Sequence, residues 1–362
     1  MFLFEHARNF YGRFERPISS LSLVAGFVFD ALTLKRVDTL WENMWILGHI
    51  LIVGVFMVLI HSREIEEGDE ANPRAAHFWY VNIIQFFFGG ILSTYIVFYF
   101  RSADIFVTWP FILILAVAFI ANESLKRHYI RLSFQISLFF LSIYSFAIFL
   151  VPVVMHQIGA VTFIISGLLS LVLIKVFIVI LFYYSKDKFS ESRRMIYFLI
   201  GSIVVLVNFL YFTNLIPPIP LSLKDGVVAH SVRKNADDNY DLVREDHGWQ
   251  SYFHIYQDYN QPTNAPVYAY SAVFSPKGLN ITILHEWQRY DLVRGEWATE
   301  SIISLPVIGG REGGFRTYSK KSNLAYGKWR VNITTDNHKT IGVLRFNLLP
   351  ADKQPELVTE TK

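Results

Sequence analysis

The chain has 362 residues and no cysteine, which excludes disulfides, thiolate metal sites and a cysteine nucleophile. A net charge of +3, scattered along the sequence, gives no basis for nucleic-acid binding. Hydrophobic residues make up 52% and charged residues only 17%, against about 25% charged in soluble proteins; the charge deficit lies in the first two-thirds, so a hydrophobic part precedes an ordinary polar one.

A membrane-crossing helix needs roughly 20 mostly apolar residues. Runs of this kind lie at 44–60, 78–99, 107–121, 132–155, 158–184 and 195–216. A weaker run, 18–34, contains Ser19, Ser20, Ser22 and Asp30. No small-residue cleavage site separates it from Lys35 and Arg36, so it reads as a seventh span rather than a removed signal peptide. Residues 1–17 are then a cytoplasmic N-terminal segment and 18–216 an α-helical transmembrane bundle of about seven spans.

The loop charges bear on that count. The inner flanks hold Arg8, Arg13, Arg16, Arg63, Arg74, Lys126, Arg127, Arg131, Lys186, Lys188, Arg193 and Arg194, while the outer flanks hold Lys35, Arg36 and Arg101. Basic residues concentrate on the cytoplasmic side of membrane proteins. The distribution therefore predicts a cytoplasmic N-terminus and an extracytoplasmic C-terminal domain. A cysteine-free outer domain suits a bacterial envelope, so the expected location is the inner (cytoplasmic) membrane of a bacterium.

Two ionisable residues sit at membrane depth. Asp30 falls late in the first run and is expected to pair locally with Lys35 or Arg36 or to serve a proton relay. Lys175 is well inside the run 158–184, where it either snorkels toward the interface or lines a pathway. His49 is expected near the outer interface, and Asn82, Gln85 and Asn208 as interhelical hydrogen-bond partners. Pro110 and Pro152 are expected to kink or end their helices. No run shows the Arg-periodic or Gly-interrupted pattern of a voltage sensor or transporter.

After Pro217, Pro218 and Pro220 the apolar runs cease. Residues 217–265 read as a proline-rich exit followed by an irregular polar segment. From 266 to 349 the alternation has period two, with candidate strands at 267–274, 280–288, 297–305, 314–320, 327–335 and 340–349. Six or seven short strands predict an all-β, sandwich-like domain. The polar stretch 350–362 is expected to be a disordered tail.

Face assignments within these strands sort the candidate site residues. Ile281, Ile283, His285 and Trp287 share one face, so His285 reads as a hydrogen-bonded core histidine rather than a base. Trp329, Val331 and Ile333 point inward, and Lys328, Arg330 and Asn332 outward. Arg316, Tyr318 and Lys320 alternate on a polar face and, with Arg330, form a candidate basic-aromatic ligand surface. The bland alternative is a solvated sheet face. No nucleophile elbow or metal-ligand spacing is present, and no cofactor or metal is expected.

The stretch Ala25-Gly26-Phe27 with Asp30, Thr33-Leu34, Arg36 and Asp38 resembles the first helix of a group of bacterial multi-span membrane proteins. His285-Glu286-Trp287, Phe315-Arg316-Thr317-Tyr318-Ser319-Lys320 and Gly327-Lys328-Trp329-Arg330-Val331, with Phe346, resemble the C-terminal domain that defines them. That group is the domain-of-unknown-function 2914 family. The resemblance implies architecture and carries no established activity, catalytic residue or cofactor.

Two functional expectations follow. One is a membrane-anchored binding or scaffold protein whose β domain recognises envelope polysaccharide or a membrane or periplasmic partner protein. The other is a membrane enzyme or transporter in which the bundle acts and the β domain gates or stabilises it. The lipid bilayer is the partner common to both, and nucleic acid the partner of neither. A reporter active only outside the cytoplasm, fused after Lys362, is expected to be active, and one active only in the cytoplasm silent; the reverse result overturns the predicted orientation.

Overall fold

The computed structural model describes residues 25–34, 39–63, 73–102, 105–124, 132–218, 220–246, 254–262, 265–351 and 355–362. They fall into two compact units, with the main division between Ile216 and Pro217. The expected segment 1–17, the start of the 18–34 run, and Lys35 and Arg36 lie outside the described residues.

The first unit is helical. It contains residues 25–33 (α1), Leu40–Arg63 (α2), Pro73–Ser102 (α3), Ile105–Ser124 (α4), Leu132–Met155 (α5), Ala160–Tyr184 (α6) and Lys186–Phe212 (α7). Among the described residues, five helices are long and apolar enough to cross a membrane: Leu40–Ser62, Asn82–Phe100, Leu132–Met155, Ala160–Tyr184 and Phe189–Phe212. Of the seven expected spans, these five are found among the described residues. The run at 107–121 is present as the shorter apolar stretch Thr108–Asn122, and the first run is described only from residue 25.

Helix α5 is mostly buried, whereas α6 and α7 turn large apolar side chains outward, among them Val172, Val176, Phe198, Val205 and Phe209. Surface of that kind is stable against lipid and costly against water, which associates the protein with a membrane. Inside the unit, polar side chains pair across helices. Gln85 Nε2 donates to the Asn122 carbonyl and Asn122 Nδ2 to the Gln85 carbonyl, both at 2.9 Å. Tyr95 Oη donates to the Ser142 carbonyl (2.7 Å), and Asn208 Nδ2 to Tyr144 Oη (3.2 Å). His61 Nε2 and Gln135 Oε1 are 3.0 Å apart. Where water is absent, each such bond holds two helices in one register. Close approach is set by small residues: a Cβ on Gly167 would lie 2.9 Å from Tyr144 Oη. Pro110 and Pro152 lie within α4 and α5.

In the second unit, from Pro217 onward, the regular elements among the described residues are all β strands. Its strands are β1 (Ser222–Ala229), β2 (Ser231–Lys234), β3 (Tyr240–Glu245), β4 (Gln257–Gln261), β5 (Val267–Phe274), β6 (Ile281–Asp291), β7 (Glu296–Val307), β8 (Phe315–Lys321), β9 (Gly327–Thr335), β10 (Thr340–Pro350) and β11 (Leu357–Thr361). They form three sheets, ordered β1-β5-β8, β4-β10-β9-β6-β7 and β11-β3-β2. Pairing is antiparallel except between β4 and β10, which run parallel.

This corrects the sequence expectation in three places. Residues 217–265 are not irregular throughout, because they supply β1 to β4. Strand β1 escapes the period-two test since Lys224, Asp225 and Gly226 interrupt its apolar residues and its register shifts between Leu223 and Asp225. The 350–362 segment is not a disordered tail: β11 pairs with β3, and Lys362 Nζ reaches Asp225 Oδ2 at 2.8 Å. The plain two-sheet sandwich of six or seven strands gives way to eleven strands in three sheets.

The β1-β5-β8 and five-stranded sheets turn one face toward each other. Trp287, Trp329, Val331, Ile333, Phe346 and Leu348 are buried there from the five-stranded side. The opposite face of β1-β5-β8 is covered by the third sheet, whose Val232 and Leu242 pack on Ala229, Tyr270 and Ala272. Gly314 permits the entry to β8: its φ is +86°, and a Cβ would stand 2.8 Å from the Ala272 backbone. Trp329 is 1% exposed and its Nε1 donates to the Ala325 carbonyl at 2.8 Å. Trp329→Ala is therefore expected to destabilise the β unit by about 3–5 kcal/mol, read from denaturant or thermal melts of the intact chain; an unchanged melt overturns its core role.

Candidate functional site

The inner faces meet through a polar cluster rather than a purely apolar one. His285 Nε2 lies 2.9 Å from Ser271 Oγ, and its Nδ1 lies 2.8 Å from Ser319 Oγ. Trp287 Nε1 donates to the same Ser319 Oγ at 3.0 Å, and Ser271 Oγ is 3.0 Å from Thr317 Oγ1. Strand β6 of the five-stranded sheet is thereby bonded to β5 and β8 of the other. His285 and Ser271 are both fully buried, and burial pushes the imidazole down to about 4. A neutral imidazole has one donor and one acceptor, which suits two hydroxyl partners. The serine–histidine geometry is closed to solvent and serves structure.

A second clamp lies between β3 and β4. Glu245, 5% exposed, accepts from the Asn260 backbone N–H (2.6 Å) and Nδ2 (2.9 Å) and meets His230 Nε2 at 3.0 Å. Burial alone would raise its pKa, but the bonds from His230 and Asn260 outweigh that and hold the carboxyl below its usual range. His230 stacks on Tyr259 with centroids 4.3 Å apart. Among the described residues, no three His, Asp or Glu side chains converge as a metal site.

The four candidate ligand residues are not brought together. Thr317 and Ser319 of β8 face inward, so Arg316, Tyr318 and Lys320 face the other way, toward the third sheet. Arg316 Nη1 donates to Asn239 Oδ1 at 2.6 Å. Tyr318 stands 6.0 Å from Tyr240 and 6.1 Å from Tyr268, and Lys320 Nζ lies 5.9 Å from the Tyr268 ring. The third sheet thus partly covers Arg316 and leaves Tyr318 and Lys320 exposed at its rim.

Arg330 lies on the outer face of the five-stranded sheet. The register pairs Trp287 with Val331 on the inner face and Gln288 with Arg330 on the outer one. Its Nε donates to Gln288 Oε1 at 2.7 Å, and its guanidinium lies 4.3 Å from the centroid of Trp297, which packs on Tyr290 at 5.2 Å. Asn332 Nδ2 shares the Gln288 oxygen at 3.1 Å. Lys328 follows on the same face, 5.4 Å from the Tyr256 ring. Arg345 of β10 stands directly opposite Arg330. Trp297, Gln288 and Arg345 are absent from the sequence-derived set; they join Arg330 only through strand pairing.

In the helical unit, Asp30 is half-buried with Ser93 and His49 beside it; the expected pairing with Lys35 or Arg36 falls outside the described residues. His49 itself is buried, packed between Trp45 and Phe87 with ring centroids 4.6 and 4.9 Å away. Lys175 is exposed on the outward side of α6 beside Val172, Val176 and Val179; the described helices place it on no internal pathway.

The His285 geometry sets a pH dependence. Its folded pKa, about 4, lies below the ordinary 6.5, so between those values the unfolded chain binds more protons and stability rises with pH. As pH falls from about 6.5 to about 4, roughly 3 kcal/mol of stability should be lost from this group. Melts of His285→Asn across that window should show a flatter profile than the parent; an equal slope overturns the assignment.

Compared with known proteins, residues 280–348 match the family model described as "Protein of unknown function (DUF2914)". No curated protein and no solved structure matches the chain. The match runs from the start of β6 into β10 and takes in His285, Trp287, Ser319, Trp329, Arg330 and Arg345. The likeness to that family thus covers residues 280–348, within the C-terminal region.

Proposed function

We propose that the protein is a membrane-anchored binding or scaffold protein. In this reading the helical unit fixes the chain in the bacterial inner membrane, and the β unit, held on the outer side, recognises envelope polysaccharide or a partner protein. The observation that carries it is the outer face of the five-stranded sheet, where Arg330 is fixed by Gln288 and stacked on Trp297. A guanidinium held in place before binding loses little entropy on contact, and aromatic rings beside it offer stacking surface. The basic residues flanking the inner ends of the apolar runs support the outward orientation. The β1-β5-β8 and five-stranded sheets, bonded through His285, supply the rigid support such a face needs.

A second reading, in which the bundle transports or catalyses and the β unit gates it, draws on the half-buried Asp30 beside His49. The outward position of Lys175 weighs against it.

Retention of the full chain on immobilised envelope polysaccharide tests the first reading. Arg330→Ala and Trp297→Ala should each cut retention at least tenfold. Because Arg330 has one bond and one ring contact, its truncation should cost folding only about 1–2 kcal/mol. Retention unchanged in both variants, with normal melts, overturns the role of this face.

A further inference from the structure

The β6–β7 hairpin ends in an apolar tip. Leu292 is 84% exposed and Val293 95%, side by side at turn positions that glycine and short polar residues ordinarily fill. Single exposed apolar side chains are common, but an adjacent pair held out together calls for a cause. The turn is built to hold them there. Asp291 Oδ1 accepts from the backbone N–H groups of Val293 (2.8 Å) and Arg294 (3.2 Å), and the Gly295 N–H donates to the Asp291 carbonyl at 2.8 Å. Tyr290 Oη donates to the Gly295 carbonyl at 3.3 Å, and Gly295 closes the turn with a φ of +71°. Just below the turn, Tyr290 and Trp297 are cross-strand partners with ring centroids 5.2 Å apart. The charges around the tip are matched: Arg289 lies 3.9 Å from Glu300, and Arg294 lies 4.0 Å from both Asp291 and Glu296.

We infer that Leu292 and Val293 dock the β6–β7 hairpin on a lipid surface. The inference rests on the membrane-anchored reading and gives the β unit a lipid contact of its own. Along the hairpin come an aliphatic tip, then two amphipathic rings, then paired charges. Acyl chains, headgroups and water would meet them in that succession. The chain brings the bilayer with it: five of its helices are long and apolar enough to span one. Residues 213–221 tie α7 to β1, so lipid is present to the β unit at high effective concentration. A protein partner fits the tip less well, because a stable interface takes about 800 Å² from each side, far more than two aliphatic side chains offer. With the nearby cations ion-paired, the docking is hydrophobic and needs no anionic headgroup.

The absence of cysteine from the chain makes the test direct. Val293→Cys introduces a single thiol, which is labelled with an environment-sensitive fluorophore on the full chain in nanodiscs of neutral phosphatidylcholine. Asn337→Cys is the comparison site: it lies in the β9–β10 turn, at the opposite end of the five-stranded sheet, since β9 pairs with β6 from Trp329 opposite Arg289 to Thr335 opposite Ile283. Val176→Cys, on the outward side of α6, reports the anchoring itself. Nitroxide-bearing phosphatidylcholine should quench the label at 293 at least about twofold and leave the label at 337 unchanged, with no loss at high salt. Adding Leu292→Ser should abolish quenching at 293 without lowering the melting temperature, because Leu292 has little packing to lose. Equal quenching at 293 and 337, or quenching at 293 that survives Leu292→Ser, overturns the inference. Quenching at 176 but not at 293 overturns the docking alone, whereas no quenching at 176 overturns the membrane reading beneath it. Shielding of 293 from aqueous iodide without nitroxide quenching, rising with the number of chains per disc, makes the tip a contact between copies and overturns the lipid assignment.

Discussion

Within the β unit, the hydrogen-bonded junction of His285 with Ser271 and Ser319 decides where every other strand residue points. An imidazole and two hydroxyls enclosed between sheets lose their water, and each unbonded polar atom would cost about 1–3 kcal/mol. Only one register of β6 against β5 and β8 satisfies both ring nitrogens and the Trp287 indole together. A slip of one residue would turn His285 outward and bring Glu286 into the interface. The same constraint sends Arg316, Tyr318 and Lys320 to one outer side and Arg330 to the other.

Those two outer sides then meet different fates. The side carrying Tyr270 and Ala272 is apolar enough to accept Val232 and Leu242 of the third sheet. Covering it takes β2, β3 and β11, with Glu245 bonded to Asn260 and His230 on one flank and Lys362 to Asp225 on the other. The side carrying Arg330 has no such cover among the described residues. Its rings and Arg330 stay half-buried, with the guanidinium held by Gln288 and stacked on Trp297.

The helical unit obeys the opposite solvent rule. Apolar side chains of α6 and α7 face outward, while polar pairs such as Gln85–Asn122 and Tyr95–Ser142 are turned inward, where lipid would leave them unsatisfied. Helix α5 is central: its residues from Leu132 to Pro152 are mostly buried, and its few buried polar groups, such as Gln135 and the Ser142 carbonyl, are bonded to neighbouring helices. Small residues such as Gly167 allow the approach of a neighbouring ring.

Local pattern in the sequence was enough to identify the apolar helices, the six strands from β5 to β10 and the inward faces of His285 and Trp329, because each depends on residue spacing alone. Strands β1 to β4 and β11 were not legible: their exposed or interrupted patterns become strands only when a partner supplies the hydrogen bonds. The candidate site divides the same way. Arg330 is readable as outward-facing from alternation, but its neighbours Trp297, Gln288 and Arg345 are distant in sequence and meet it only across strand ladders. The third sheet's cover over Arg316 is likewise a long-range contact that no local period encodes. The sequence by itself determined two solvents, two kinds of secondary structure and the face of each regular strand; tertiary structure alone decided which faces are covered and which cations stand side by side, because both depend on pairing between segments far apart in the chain.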